Sequence, residues 1–217
     1  MKTLLLIPTL LEANCLAGVP DARLLLSGPV SWRGVDLALT GMGPVDAGVT
    51  ASRHLARGEW GRCILAGLAG AYEGRGFEPP SLVEVRSFVM DGAGVLGPSG
   101  VQAWEDLGLP ESVRGLLEPT THERVGSAPT GLPEAAALTV SASSATRDVA
   151  RARAADWPSV QIEEMEGFAV ARACRLSGVP LTCIRAVSNR CGDREKSRWY
   201  VSESMTLIQE RLDSLIP

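Results

Sequence analysis

The sequence predicts an α/β domain in which helices cover a largely parallel or mixed sheet. Short apolar runs without polar alternation, such as residues 4–7 and 181–187, are typical of strands buried on both faces. Segments of helical pattern, several of which end at glycine or proline, separate these runs. Of the 217 residues, 45% are hydrophobic and 21% are charged, which suits one core of substantial size. We therefore predict a single domain over residues 1–217.

The first predicted strand, residues 4–7, ends at Pro8. Pro8 and Glu12 interrupt the apolar run and no small-x-small cleavage site follows, so we expect a buried strand rather than a signal peptide. Thr9 is placed to cap a helix over residues 10–16, which puts Glu12 just beyond the carboxyl end of the strand. No stretch approaches the ~20 apolar residues of a membrane span.

Residues 24–26 and 35–39 are the next strand candidates. A glycine-rich segment, Gly41-Met42-Gly43-Pro44, then leads into a helix that we expect to run to about residue 57. Proline suits the first helical position, and glycines before a helix leave backbone N–H groups free to face an anion or a ribose. A dinucleotide fingerprint is disfavoured because the third glycine is misplaced, and no Gly-Lys-Ser/Thr follows for a P-loop.

The middle of the chain is less informative. Residues 63–66 predict a strand that runs into the small residues 67–71, where either a ligand approaches closely or the chain makes a tight turn. Residues 82–88 predict another strand, and the Gly/Pro-rich residues 91–100 are a candidate lid or subunit contact. Further elements are predicted at residues 138–140 (strand), 145–154 (helix), 181–187 (strand) and 197–216 (helix).

Three carboxylates, Glu163, Glu164 and Glu166, crowd a junction between a strand and a helix. Acids gather at helix starts because the helix macrodipole stabilises negative charge there, so a charged cap is one interpretation. The other interpretation is a functional site, because Met165 and Phe168 lie beside the acids where strand ends converge.

Composition excludes several classes of function. The net charge of −4 and the ten aromatic residues (five Trp, two Tyr, three Phe) disfavour binding to nucleic acid. Five cysteines without a Cys-x-x-Cys pair and two distant histidines give no metal-ligand spacing. Cys63 and Cys183 lie in apolar runs and are expected to be core thiols of a cytoplasmic, reducing compartment. A Ser-His-Asp hydrolase is disfavoured because no nucleophile elbow lies near either histidine.

Four segments at predicted strand ends stand together in order: residues 8–12, 41–48, 164–166 and 185–189. In open α/β sheets, ligands bind beyond the carboxyl ends of the strands. In this order and spacing, the segments resemble the purine nucleoside phosphorylase/hydrolase family, in particular its methylthioadenosine/S-adenosylhomocysteine nucleosidase-like branch. The likeness covers nearly the whole chain. It implies a three-layer α/β/α sandwich around a twisted mixed sheet, assembled as a homodimer or higher homo-oligomer. The substrate would be a small-molecule nucleoside, and no cofactor, metal, nucleic acid or membrane is expected.

The resemblance implies roles where residues match. Glu12 is similar to the family's general base, which holds the attacking water, and Glu166 to the carboxylate that binds the ribose hydroxyls. Met165 would pack on the sugar, with the backbone around Glu164 completing the pocket. Arg185 lies near the base-binding loop. The remaining expected substrate contacts are Gly43, Ala69, Gly70, Ser143, Ser188 and Arg194.

Asn189 stands where adenine-releasing members of the family carry an aspartate. An amide NH₂ can donate to N7 and O6 of a 6-oxopurine. An ionised carboxylate has no proton to donate and could not form a hydrogen bond with these two acceptors. We therefore predict hydrolysis of an N-glycosidic bond with release of hypoxanthine in preference to adenine. The alternative for Asn189 is a cap of the strand end. Ser143, Ser144 and Ala145 replace an aromatic-bearing run, so the stacking contact of the family is not matched.

Residues 188–194 with Trp199 resemble the branch whose nucleoside carries a benzoate-type tail. Arginine matches a carboxylate bidentately, so Arg194, Arg198, a residue of 91–100 or a residue of a neighbouring subunit would bind that tail. A solvated, charged helix start is the alternative for these arginines.

Other functions stay open at this point. An adenine-releasing nucleosidase would differ in the base it frees, and a 6-oxopurine nucleoside phosphorylase would require phosphate. Hydrolysis is favoured because Glu12 would repel phosphate. A nucleoside sensor would lack Glu12, and the glycine spacing argues against a dehydrogenase.

Overall fold

The computed structural model describes residues 2–19, 21–98, 100–113, 115 and 117–216. The strands in these residues are β1 (Lys2–Ile7), β2 (Val30–Trp32), β3 (Val35–Leu39), β4 (Trp60–Ala71), β5 (Ser81–Met90), β6 (Gly94–Gly97), β7 (Gly100–Ala103), β8 (His122–Arg124), β9 (Glu134–Thr139), β10 (Ile162–Glu164) and β11 (Leu181–Arg190). The helices are α1 (Leu10–Asn14), α2 (Pro44–Leu55), α3 (Arg147–Asp156), α4 (Gly167–Leu176) and α5 (Val201–Leu215).

The central sheet is mixed, as predicted. Its strand order is β10-β9-β5-β11-β4-β1-β3-β2, and β8 pairs with β5. Parallel pairs join β1 to β3 and β4, β4 to β11, and β9 to β5 and β10. Antiparallel pairs join β5 to β11 and β2 to β3. Because the end of β4 also pairs with β10, the strands β4, β11, β5, β9 and β10 close on themselves at one side of the sheet.

Helices cover both faces of the sheet, which confirms the three-layer α/β/α prediction. Side chains alternate along β1, so that Leu4 and Leu6 pack with residues of α2 and α4, whereas Leu5 and Ile7 pack with α1 and α5. Helix α3 contributes Ala150 to a third cluster, which also contains Val89 of β5 and Leu138 of β9. Because α1 follows β1 and α4 follows β10, these helix starts lie at the carboxyl ends of strands.

Some predicted elements need correction. Residues 24–26 are not a strand but the end of a 3-10 helix, Ala22–Leu26. The Asp21 side chain accepts the backbone N–H of Arg23 and starts this turn, and Leu25 is buried whereas its two leucine neighbours are exposed. Residues 67–71 are not a turn, because β4 continues through them. Residues 91–100 contain β6 and the start of β7, which form a hairpin, and Ser99 lies outside the described residues.

The predicted helix signals near the site are confirmed. Pro44 is the first residue of α2, and Gly43 precedes it with φ of 91°. The Thr9 side chain accepts the backbone N–H of Glu12 and caps α1. All five cysteines are free thiols, and all but Cys15 are buried. No helix in the described ranges is both long and apolar enough to cross a membrane.

Candidate active site

The first acid of the site lies where β1 gives way to α1. Glu12 is in the first turn of α1 and is only 5% exposed. Its Oε1 accepts a hydrogen bond from the backbone N–H of Leu68 at 2.9 Å, and its Oε2 accepts one from the Thr9 hydroxyl at 2.6 Å. Because each carboxylate oxygen has two lone pairs, each retains an acceptor position for a ligand or water.

The second acid lies where β10 gives way to α4. Glu166 is 4% exposed, and its Oε1 accepts the backbone N–H of Gly43 at 3.0 Å. Its Oε2 accepts a hydrogen bond from Nη2 of Arg185 at 3.1 Å. The glycine-rich segment therefore turns a backbone N–H toward an anion, as its sequence predicts, and the anion is a side chain of the protein.

Arg185 lies near both Glu12 and Glu166. It is fully buried in β11, and among the described residues its Nε and Nη1 make no hydrogen bond. A Cβ atom built on Gly67 would lie 2.5 Å from Nη1 of Arg185 and 2.9 Å from Oε1 of Glu12. Because Gly67 has no side chain, Glu12 and Arg185 can both approach its backbone from the same side. Of the two interpretations of the small-residue run, the tight turn is wrong because β4 continues through it, and the close approach at Gly67 is made by side chains of the protein.

The first acid of the junction belongs to a different network. Glu163 accepts hydrogen bonds from the Tyr72 hydroxyl at 2.8 Å and from Nη1 of Arg153 at 3.2 Å. It also accepts the backbone N–H and hydroxyl of Ser144 at 2.7 and 2.6 Å. Because successive side chains of a strand face opposite ways, Glu163 anchors the segment after β9, whereas Glu164 faces the site.

Glu164 is mainly a buried anchor. Its Oε2 accepts the backbone N–H groups of Glu166 and Gly167 at 3.0 and 2.6 Å, next to the start of α4. The same oxygen pairs with Nη2 of Arg185, and Oε1 accepts the Thr139 hydroxyl. The charged-cap interpretation is therefore correct for Glu164. Of the three acids, Glu166 is the one that approaches Glu12.

Burial dominates the electrostatics of this cluster. Burial raises the pKa of Glu166 to about 7, the positive charge of Arg185 opposes this rise, and Glu164 and Glu12 add to it. Burial alone would lower the pKa of Arg185, but the surrounding carboxylates outweigh it and raise that pKa above its usual range. Because three acids surround one arginine, this cluster favours a group that develops positive charge next to it.

The ends of β4 and β11 bring the predicted base contacts together. Just before Asn189 the pairing with β4 is irregular, and the Ser188 hydroxyl donates its proton to Oδ1 of Asn189 at 2.9 Å, with the carbonyl of Ala69 at 3.4 Å. Nδ2 of Asn189 donates to the carbonyl of Arg190 at 2.9 Å. That nitrogen lies 3.5 Å from where a Cβ of Gly70 would be. The structure therefore places these predicted residues side by side.

The predicted residues at the periphery form a second group. Nη1 of Arg194 donates to the Ser143 hydroxyl at 3.2 Å, and its guanidinium lies 5.6 Å from the ring centre of Trp199. Met165 packs against the cluster that contains Ala150 of α3. The contacts described here link Arg194 to Ser143 and not to Glu12 or Glu166.

Three contributors to the site were not predicted in these roles. They are the Leu68 backbone N–H, the Thr9 hydroxyl as a partner of the Glu12 carboxylate, and Gly67 as a contact point. The Thr-x-x-Glu spacing and the small-residue run at 67–71 were the available signals.

Comparison with known proteins gives one family. The sequence model of the phosphorylase superfamily matches residues 25–216. A futalosine hydrolase of Thermus thermophilus is 34% identical, over 98% of this chain and 94% of its own length. A futalosine hydrolase of Streptomyces coelicolor is 31% identical, over 87% of this chain and 80% of its own length.

Solved structures share the fold at lower identity. A futalosine hydrolase mutant of Helicobacter pylori superposes with a TM-score of 0.75 at 13% identity, covering 100% of this chain and 99% of the other. A 5′-methylthioadenosine/S-adenosylhomocysteine nucleosidase of Campylobacter jejuni gives 0.71 at 15% identity, with coverage of 99% and 98%.

Proposed function

Because the chain belongs to the phosphorylase superfamily, we propose that it is an N-glycosyl hydrolase that cleaves futalosine. The products are hypoxanthine and dehypoxanthine futalosine, in an alternative route to menaquinone. The observation that carries the proposal is the convergence of Glu12 and Glu166 on Arg185 at the carboxyl ends of strands. The two curated relatives above, both named futalosine hydrolase, support the choice of substrate.

Glu166 binds the ribose and stabilises the transition state. Cleavage of an N-glycosidic bond builds positive charge on the sugar, and a buried carboxylate beside the ring favours that charge. Gly43 and Arg185 each hold one oxygen of Glu166, so the carboxylate is fixed before substrate binds. Both oxygens keep a lone pair that can accept a ribose hydroxyl.

Glu12 acts as the general base toward water. The two hydrogen bonds from Leu68 and Thr9 fix its carboxylate and leave acceptor positions for the proton of the nucleophile. Nη1 of Arg185 and Oε1 of Glu12 both lie close to Gly67, and Nη1 makes no hydrogen bond with the described residues. A water held by both groups would be oriented toward the sugar, and a positioned general base contributes about 10²–10⁴ in rate.

Hydrolysis is favoured over phosphorolysis by the charges of the site. A phosphate on the nucleophile side would face Glu12, and Arg185 is already paired with Glu164 and Glu166. The surplus of negative charge repels a dianion and admits neutral water.

Asn189 selects the base. The Ser188 hydroxyl donates to Oδ1 of Asn189, which leaves the NH₂ group as the end available to a purine. One of its two protons is used by the carbonyl of Arg190, and the other can donate to N7 or O6 of hypoxanthine.

Arg194 is the best candidate for the benzoate-type tail. It reaches Ser143 through a neutral hydrogen bond, so its charge remains available to a carboxylate. Arg198 instead pairs with Glu195 at 3.1 Å and with Asp193 at 3.7 Å. We expect Arg194→Ala to raise the KM for futalosine at least tenfold, with Arg198→Ala as the matched control. Equal effects of the two changes would remove this assignment.

The decisive experiment is incubation of the pure protein with futalosine, with and without phosphate. Release of hypoxanthine in phosphate-free buffer, lost in Glu12→Gln, is the expected result. A requirement for phosphate would identify a 6-oxopurine nucleoside phosphorylase. Faster cleavage of methylthioadenosine or 6-aminodeoxyfutalosine would identify an adenine-releasing nucleosidase.

A homodimer or higher homo-oligomer in the cytoplasm completes the proposal. Met42, Val45 and Val49 expose apolar side chains along one side of the start of α2, which suits burial by a second copy. The five free thiols suit a reducing compartment. Light scattering after size exclusion tests the assembly, and a monomer at micromolar concentration would contradict it.

A further inference from the structure

Thr9 makes two hydrogen bonds with the same residue. Its Oγ1 accepts the backbone N–H of Glu12 at 3.3 Å and donates to Oε2 of Glu12 at 2.6 Å. A hydroxyl has one proton and two lone pairs, so both bonds can exist together. The second bond is short and goes to a charged acceptor, which makes it the stronger of the two.

The spacing Thr9-x-x-Glu12 is that of a capping box, but the acid is used differently. In a capping box the glutamate reaches back to the backbone N–H of the cap residue. Here the Glu12 carboxylate takes the Thr9 hydroxyl on one oxygen and the Leu68 N–H on the other. The Glu12 carboxylate therefore points toward the site, and Thr9 both caps the helix and holds this carboxylate.

We propose that Thr9 is a positioning residue for Glu12, an inference that rests on the hydrolase function proposed above. Without the hydroxyl, the Leu68 N–H would be the remaining hydrogen bond described for the carboxylate, so the carboxylate can rotate about its terminal torsion. Helix α1 is only five residues long and offers little other restraint. A catalytic group displaced by about 1 Å loses on the order of 10² in rate.

Capping and positioning can be separated by three variants. Thr9→Ser keeps the helix cap and the donor, Thr9→Val keeps the shape without the hydroxyl, and Thr9→Gly keeps a favourable cap residue without a donor. We expect Ser to retain kcat within about threefold of wild type. We expect Val and Gly to lower kcat by about tenfold to a hundredfold while KM for futalosine stays within about threefold.

Unfolding in urea is measured beside the kinetics. Thr9→Gly should unfold near the wild-type midpoint although its kcat is low, because glycine caps nearly as well as threonine. Wild-type kcat in both Val and Gly, or a loss in Ser equal to that in Val, would overturn the proposal.

A crystal structure of Thr9→Val gives a test that needs no turnover. We expect Oε2 of Glu12 to leave its wild-type position, and an unmoved carboxylate would refute the role of Thr9. If wild-type protein fails to cleave futalosine, the proposed function is wrong, and this structural comparison still decides whether Thr9 holds Glu12.

Discussion

Replacing Gly67 with alanine should remove most activity while leaving the fold intact. The added Cβ would lie 2.5 Å from Nη1 of Arg185, 2.9 Å from Oε1 of Glu12 and 2.9 Å from Cδ of Pro8. Non-bonded heavy atoms prefer separations of about 3.5–4.0 Å, so something must move by roughly 1 Å. Pro8 is a rigid ring, so the Arg185 guanidinium, whose Nη1 is the nearest atom, and the Glu12 carboxylate must both shift.

Two effects follow, and they differ in size. Overpacking of a core position costs about 1–3 kcal/mol of the free energy of unfolding. Displacing the general base by roughly 1 Å lowers kcat by about 10²-fold. A core defect alone would lower the urea midpoint without this loss of kcat in the protein that remains folded.

The assay is hypoxanthine release at saturating futalosine, with urea unfolding measured in parallel. Gly126→Ala is the matched control, because its added Cβ meets no atom within 4 Å and its φ is ordinary. This control should keep wild-type kcat and change the free energy of unfolding by less than about 0.5 kcal/mol. If Gly67→Ala retains kcat within about threefold of wild type, the lack of a side chain at position 67 is not what keeps Glu12 and Arg185 in place.

Four more predictions concern three residues, Glu166, Glu163 and Asn189. Burial raises the pKa of Glu166 to about 7, and the proposed mechanism needs the ionised carboxylate. We therefore expect kcat/KM to rise with pH through about 7. A flat profile of kcat/KM between pH 5 and 8 would contradict this. The folded protein keeps this proton above the usual glutamate pKa, so Glu166 lowers stability as pH rises toward 7, measurable as a falling urea midpoint. Glu163→Gln, which removes the buried partner of Arg153, should lower the free energy of unfolding by about 1–3 kcal/mol, whereas the exposed Glu73→Gln should change it by less than about 1 kcal/mol. Asn189→Asp should raise cleavage of 6-aminodeoxyfutalosine relative to futalosine by at least about tenfold, and an unchanged ratio would remove the role of the amide.

The sequence predicted where the site lies better than how it is held together. Glu12 and Glu166 both follow predicted strands, and ligands of α/β sheets bind beyond the carboxyl ends of strands, so both could be foreseen as candidate site residues. That β10 runs antiparallel to β4 and still brings Glu166 to this site could not be foreseen. Which of Glu163, Glu164 and Glu166 faces the site could not be predicted, because a three-residue strand gives too little pattern to tell its two faces apart. The contact between Gly67 and Arg185 depends on β4 lying beside β11, which no local signal specifies.

The misread strand at residues 24–26 has a similar cause. Three consecutive leucines carry no periodicity, so strand and helix fit them equally. Asp21 decides between the two by accepting the N–H of Arg23, a local contact that a search for apolar runs overlooks.

The group of Leu68 that donates to Glu12 is its backbone N–H, so side-chain substitutions do not test this hydrogen bond. β1 pairs with β4 only as far as Leu65, so this amide is past the end of that ladder. Every substitution except proline keeps the amide, and proline would damage the strand as well. An alanine at position 68 would therefore report the packing of the leucine side chain against the core, and not the role of the amide. Only an ester in place of the peptide bond would reveal that the backbone itself holds the base.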